Sequence, residues 1–159
     1  MLPIAAVFLR SKEILQQLSS LLDNERVAFG ELNSEVIVSI AAEKSTLLDE
    51  MNLLNERRVN LLIKFDIVDR KNPLEDDFKA WLLKQDSSMD ETRQLMAECE
   101  NLLTLCKTKN QSNARILSTL QKRNKHLFEL LQGHNDKSKV YTSRGATRPI
   151  SSKHTLGRA

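Results

Sequence analysis

The chain has 159 residues, 28% of them charged and only 4% aromatic, with a formal net charge of +3. That length suits one domain with tails, and that composition suits a helical bundle built on Leu and Ile rather than a β-sandwich or an enzyme with aromatic pockets. The charge is uneven: residues 133–159 hold six basic residues against Asp136, a balance of +5, leaving −2 for residues 1–132. A basic tail on a faintly acidic body argues much less for nucleic-acid binding than a basic folded face would.

Pro3 suits the first turn of a helix, where a missing N–H costs nothing. From there to Leu32 runs a seam of Ile14, Leu18, Leu21, Glu25, Ala28 and Leu32 at helical spacing, broadened by Leu15, Leu22 and Phe29. Gly30 costs about 1 kcal/mol inside a helix, and Asn33 or Ser34 can cap a new one. A turn near residues 30–34 is therefore favoured over one helix of more than sixty residues. A second helix is predicted from Glu35 to Asp69, with the seam Val36, Ile40, Leu47, Met51, Leu54, Leu61, Phe65 and Val68. Asn72-Pro73 follows its end, because a residue before proline is pushed out of helical geometry. A short amphipathic helix, Leu74 to Lys84, places Phe78, Trp81 and Leu82 on one face. Trp81 reads as a core residue rather than a ligand platform.

The longest predicted helix runs from Met89 to Leu131 without Gly or Pro, begun by a capping box of Ser88 and Glu91 and stopped at Gly133. It would be roughly 65 Å long at ~1.5 Å per residue. Leu95, Cys99, Leu102 and Cys106 form a packed seam; Lys109 and Asn113 then stand where apolar residues are expected. The stripe resumes at Ile116, Leu117, Leu120, Leu127, Phe128, Leu130 and Leu131. Two accounts of that distal stripe remain open. Either the N-terminal Ile4, Val7, Phe8 and Leu9 pack over it, or it stays partly uncovered as a face for an amphipathic segment of another protein. The remaining residues, 133–159, are too polar to offset the entropy of ordering and are expected to be disordered, with Val140-Tyr141 as an anchor-like spot. The expected fold is an antiparallel all-α bundle of three long helices plus one short one over residues 1–132, with a flexible basic tail at 133–159.

Catalytic and metal signatures are lacking. There is no Gly-rich phosphate loop, no C-x-x-C and no H-E-x-x-H. His126, His134 and His154 lack ligand spacing. Cys99 and His126 would lie on the order of 40 Å apart on one helix, too far for a nucleophile and its base. Cys99 and Cys106, two turns apart, cannot bridge within the helix and read as reduced core thiols of a cytoplasmic protein. The acidic clusters Glu75-Asp76-Asp77 and Asp90-Glu91 sit at helix starts, where they favour the dipole. The expectation is a non-enzyme with no cofactor or metal and no membrane-inserted segment.

The pattern resembles the FlgN family of flagellar export chaperones. Glu43-Lys44-Ser45-Thr46-Leu47-Leu48 is similar to its E-K-x-x-L-L segment, and Asn110-Gln111-Ser112-Asn113-Ala114-Arg115-Ile116-Leu117 to its N-x-x-N-x-x-L-L signature, with Ala114 where a Gly is expected. The ending matches too: Leu127, Leu130, Leu131, a spacer, then Tyr141 and Gly145. The likeness covers most of residues 10–145. It implies a cytoplasmic, non-catalytic chaperone of type III flagellar export. Such a protein binds the C-terminal helical segments of the hook-associated proteins FlgK and FlgL, prevents premature assembly, and delivers them to the export gate protein FlhA. Carried over by position, Ile116, Leu117, Leu120, Leu127, Leu130 and Leu131 would face client, and Tyr141 the gate. A homodimer through the distal stripe is a further possibility the pattern leaves open. The rival reading is a structural coiled-coil adaptor built on these seams; a nucleic-acid binder would need aromatic interleaving that is missing.

Overall fold

A computed structural model of the chain describes residues 3–69, 75–132, 139–141 and 147–149. Four helices account for nearly all of it: α1 (Pro3–Glu31), α2 (Ser34–Lys64), α3 (Glu75–Leu83) and α4 (Asp90–Leu131). The chain divides into two compact units, Met1–Ile116 and Leu117–Ala159, so α4 belongs to both.

The break between α1 and α2 falls where it was expected, but glycine does not make it. Gly30 is still helical. Leu32 takes the left-handed conformation (φ 55°), and the Asn33 and Leu32 amides donate to the carbonyls of Ala28 (3.1 Å) and Phe29 (3.3 Å), the 6→1 and 5→2 bonds of a Schellman motif. Asn33 then caps α2, its side-chain oxygen accepting from the Val36 amide at 3.2 Å. The same device ends α2. Asp66 is left-handed (φ 53°), and Ile67 N–H reaches the Leu62 carbonyl at 2.9 Å. That stop comes five residues before the expected end at Asp69; the Asn72-Pro73 breaker lies outside the described residues. The start of α4 also differs. Asp86, not Ser88, is the cap: its carboxylate accepts from the Ser88 amide (3.0 Å) and begins a single 3-10 turn, Ser87–Met89, that leads into α4. Hydrogen bonds donated by the Ser88 hydroxyl and amide hold the Asp86 carboxyl below its ordinary range.

Within the first unit the long helices run up, down and up. Arg10 of α1 bonds Glu50 of α2 at 2.7 Å, while Glu25 bonds Lys44 at 2.9 Å, so α1 and α2 are antiparallel. Phe8 and Leu15 of α1 meet Cys99 and Cys106 of α4 in the same order along both chains, so those two are parallel. The core gathers at the end of the bundle holding the start of α1. Phe8, Phe78 and Trp81 form a stack with ring centroids 5.9 and 6.1 Å apart. Ile4, Leu62, Val68, Leu82, Leu95 and Met96 close around them. Trp81 thus packs as expected for a core residue, although it stays half-buried. Arg93 fastens the corner: its guanidinium donates to the carbonyls of Leu82, Gln85 and Asp86, tying the end of α3 and the connection after it to α4.

The predicted α2 seam is only partly covered. Of its residues Ile40 and Val68 are buried, Val68 past the end of α2; Leu47, Met51, Leu54 and Leu61 are half-buried, and Val36 and Phe65 are exposed. Of the tail, 133–159, the structure describes two short strands. β1 (Lys139–Tyr141) and β2 (Thr147–Pro149) pair antiparallel, Tyr141 opposite Thr147. Val, Tyr and Thr favour extended backbone.

Candidate functional site

The last helix is fastened to α1 by a ladder of polar bonds. Cys99 and Cys106 donate their thiol protons to the Phe8 and Leu15 carbonyls at 3.3 and 3.4 Å. Burial raises both thiols above their ordinary pKa, which keeps them protonated donors. Next up the seam, Lys109 reaches Ser19 Oγ (2.9 Å) and the Asp23 carboxylate (2.6 Å). Asn113, 3% exposed, donates to the Leu22 carbonyl and to Glu25 Oε2, both at 2.8 Å. Lys44 of α2 meets the other oxygen of Glu25 at 2.9 Å. One buried carboxylate therefore ties three helices together. The polar interruption expected to separate two apolar surfaces is in fact the bolt at the end of the first unit. Glu25, Lys109 and Asn113 were all legible as polar residues at inward positions; that they meet one another was not.

Beyond the bolt, the stripe is uncovered. Leu117 is 39% exposed, Leu127 57%, Phe128 61%, Leu130 46% and Leu131 87%. Ile116, the last residue of the first unit, and Leu120 are half-buried. The N-terminal residues that could have covered this stripe are used elsewhere: Ile4 and Phe8 belong to the core of the first unit, and Val7 is buried. Moreover α1 has 29 residues against 42 in α4, so it cannot cover α4 along its whole length. Helical spacing puts Ile116, Leu120, Leu127, Leu130 and Leu131 on one face, with Leu117 and Phe128 at its margin. Tyr141 lies in β1, a separate element of the second unit.

Sequence reasoning missed a groove in the first unit. A groove of about 410 Å³ is floored by Phe8 and Leu15 and walled by Met51, Asn55 and Arg58 of α2 and Met96 and Leu103 of α4. Arg58 lies over the Phe8 ring, 5.9 Å from its centroid, a cation–π contact. Among the described residues no three His, Cys, Asp or Glu side chains gather in a way that could hold a metal ion. No described helix is long and apolar enough to cross a membrane.

The described residues are thus mainly helical, and the last long helix leaves an apolar face exposed. The FlgN protein family model matches residues 4–149, nearly the whole chain. The chain belongs to the FlgN family, the flagellar export chaperones, a family of chaperones and not of enzymes. No curated protein and no solved structure gives a match.

Proposed function

We propose that the distal half of α4 receives the C-terminal helix-forming segments of the hook-associated proteins FlgK and FlgL, keeping them unassembled in the cytoplasm until delivery to the export gate. The observation that carries this reading is the run of exposed leucines on an already formed helix. An amphipathic segment laid on Leu117, Leu120, Leu127, Leu130 and Leu131 removes apolar surface from water on both sides, at about 25 cal/mol per Å². Ordering the segment returns several kcal/mol of that gain. The balance is a moderate affinity, which suits a chaperone that must let go without nucleotide chemistry of its own. The basic tail, 133–159, with Tyr141 in it, is assigned to docking on FlhA.

The test is a double substitution, Leu120→Asp with Leu127→Asp. It is expected to abolish co-purification with a hook-associated protein while helicity by circular dichroism stays nearly unchanged. Unfolding of the double variant would instead make the stripe part of the protein's own core and end the proposal. Removal of residues 136–159 is expected to spare client binding and impair delivery. Loss of client binding on that truncation would move the site into the tail.

A further inference from the structure

The bound segment's own chemistry can be read from the interface α4 already makes. In strict alternation of three and four residues, the α4 seam runs Cys99, Leu102, Cys106, Lys109, Asn113, Ile116, Leu120, Arg123, Leu127 and Leu130. Where α1 covers it, the cation in this seam is answered by a carboxylate: Lys109 meets Asp23 at 2.6 Å. The neighbouring amide is answered by another, Asn113 meeting Glu25 at 2.8 Å. Arg123 stands two heptads beyond Lys109, at the equivalent position, and is exposed, as are Lys122 and Lys125. The uncovered seam thus repeats the pattern of the covered one with its acidic counterpart missing.

Charge over the whole chain points the same way. Residues 117–159 hold nine basic residues against Glu129 and Asp136, a balance of +7, while residues 1–116 carry −4. Two copies joined through this helix would set +7 against +7, which disfavours a second copy as the occupant. An anionic lipid surface would meet the charge. However, it offers no counterpart for a cation placed inside the apolar seam, whereas a helix with one carboxylate in its stripe does.

We propose that the segment bound by distal α4 is an acidic amphipathic helix, with apolar residues against Leu120, Leu127 and Leu130 and a carboxylate against Arg123. This rests on the chaperone reading for the identity of the client, and on the α1–α4 seam for its chemistry.

Three labelled peptides with one composition of apolar residues provide the probe: one with Glu along and beside the stripe, one with Lys at the same positions, and one acidic but with the apolar order scrambled. Binding to the full chain is read by fluorescence anisotropy, with vesicles containing phosphatidylserine as a fourth ligand. At about 50 mM salt the Glu peptide is expected to bind on the order of tenfold more tightly than the Lys peptide. That gap should shrink at about 500 mM salt. The double variant Arg123→Glu, Lys125→Glu, both positions exposed, is expected to reverse the preference. Equal binding of the Glu and Lys peptides, equal binding of the scrambled acidic peptide, or binding to vesicles alone would each overturn the proposal. So would a stable dimer, by sedimentation, that Arg123→Glu strengthens. If a hook-associated segment binds while the charge swap changes nothing, the chaperone reading stands and this inference falls. If the Glu peptide binds selectively and no hook-associated protein does, the reverse holds.

Discussion

The aromatic foot of the bundle and the far end of α4 are made from similar residues and used in opposite ways. At the foot, Phe8, Phe78 and Trp81 stack, and Phe78 has no exposed surface at all. Arg93 and a short extra helix are devoted to closing that end. At the far end, Leu127, Phe128 and Leu131 are each more than half exposed. The difference lies in what the chain supplies opposite them: α3 and both other long helices at the foot, a surplus of α4 over α1 at the other end. Burial is concentrated around the aromatic stack, and apolar surface is left exposed along the last turns of α4.

The largest test of that contrast is a pair of truncations. Phe78→Ala is expected to cost about 3–5 kcal/mol, because it empties a closed site between two rings. Leu127→Ala is expected to change stability by no more than ~0.5 kcal/mol, since its side chain is already in water. Urea denaturation followed by circular dichroism measures both. Similar losses at the two positions would mean that the distal stripe belongs to a folded core after all.

A middle-sized effect belongs to the bolt between the two regions. Asn113→Leu keeps the size of the side chain but strips the donors from the Leu22 carbonyl and from Glu25, which retains only Lys44. A loss of about 1–3 kcal/mol is expected for the buried acceptors left short of a partner. A gain would show that an apolar seam serves better here, and that the polar cluster is kept for register rather than for stability. Either way the substitution probes where the covered part of α4 ends, without touching the leucines beyond it.

These distinctions were unequally legible. Helical periodicity placed all four helices, because the apolar spacing of α1 and α4 is long and uninterrupted by Gly or Pro over most of its length. The distal stripe itself was legible, but whether residues 4–9 pack over it was not; in the structure Ile4 and Phe8 belong to the core of the first unit. The stops were legible in part. Asn33 was legible as a cap and is one, but the chain turns at Leu32 rather than Gly30, stops α2 at Asp66, and caps the turn leading into α4 at Asp86 rather than Ser88. Schellman geometry is set by hydrogen bonds that a single residue type does not announce. The buried triad of Glu25, Lys44 and Asn113 was hidden for another reason: each of its members lies on a different helix, and one-dimensional spacing carries no information about which polar interruptions face each other. The same holds for the half-covered face of α2, whose seam looks as apolar as that of α1.

The smallest expected effect sharpens the contrast from the stable side. Gly30 lies within α1, and a Cβ added there would meet nothing within 4 Å. Gly30→Ala should therefore stabilise the first unit by about 0.5–1 kcal/mol, chiefly by restricting the unfolded chain. Two residues on, Leu32 pays for a left-handed backbone with a side chain that is 65% exposed and packs little. Leu32→Gly removes that strain, with an expected gain of up to ~1 kcal/mol after the extra flexibility of glycine in the unfolded state is counted. Exchanging the two residue types at these positions thus moves glycine from where the backbone has no use for it to where it does. Denaturation midpoints should rise in both variants while affinity for a hook-associated segment stays the same. If affinity fell as the first unit stiffened, binding would draw on motion of the bundle itself, and the division between a rigid foot and a receptive distal helix would have to be given up.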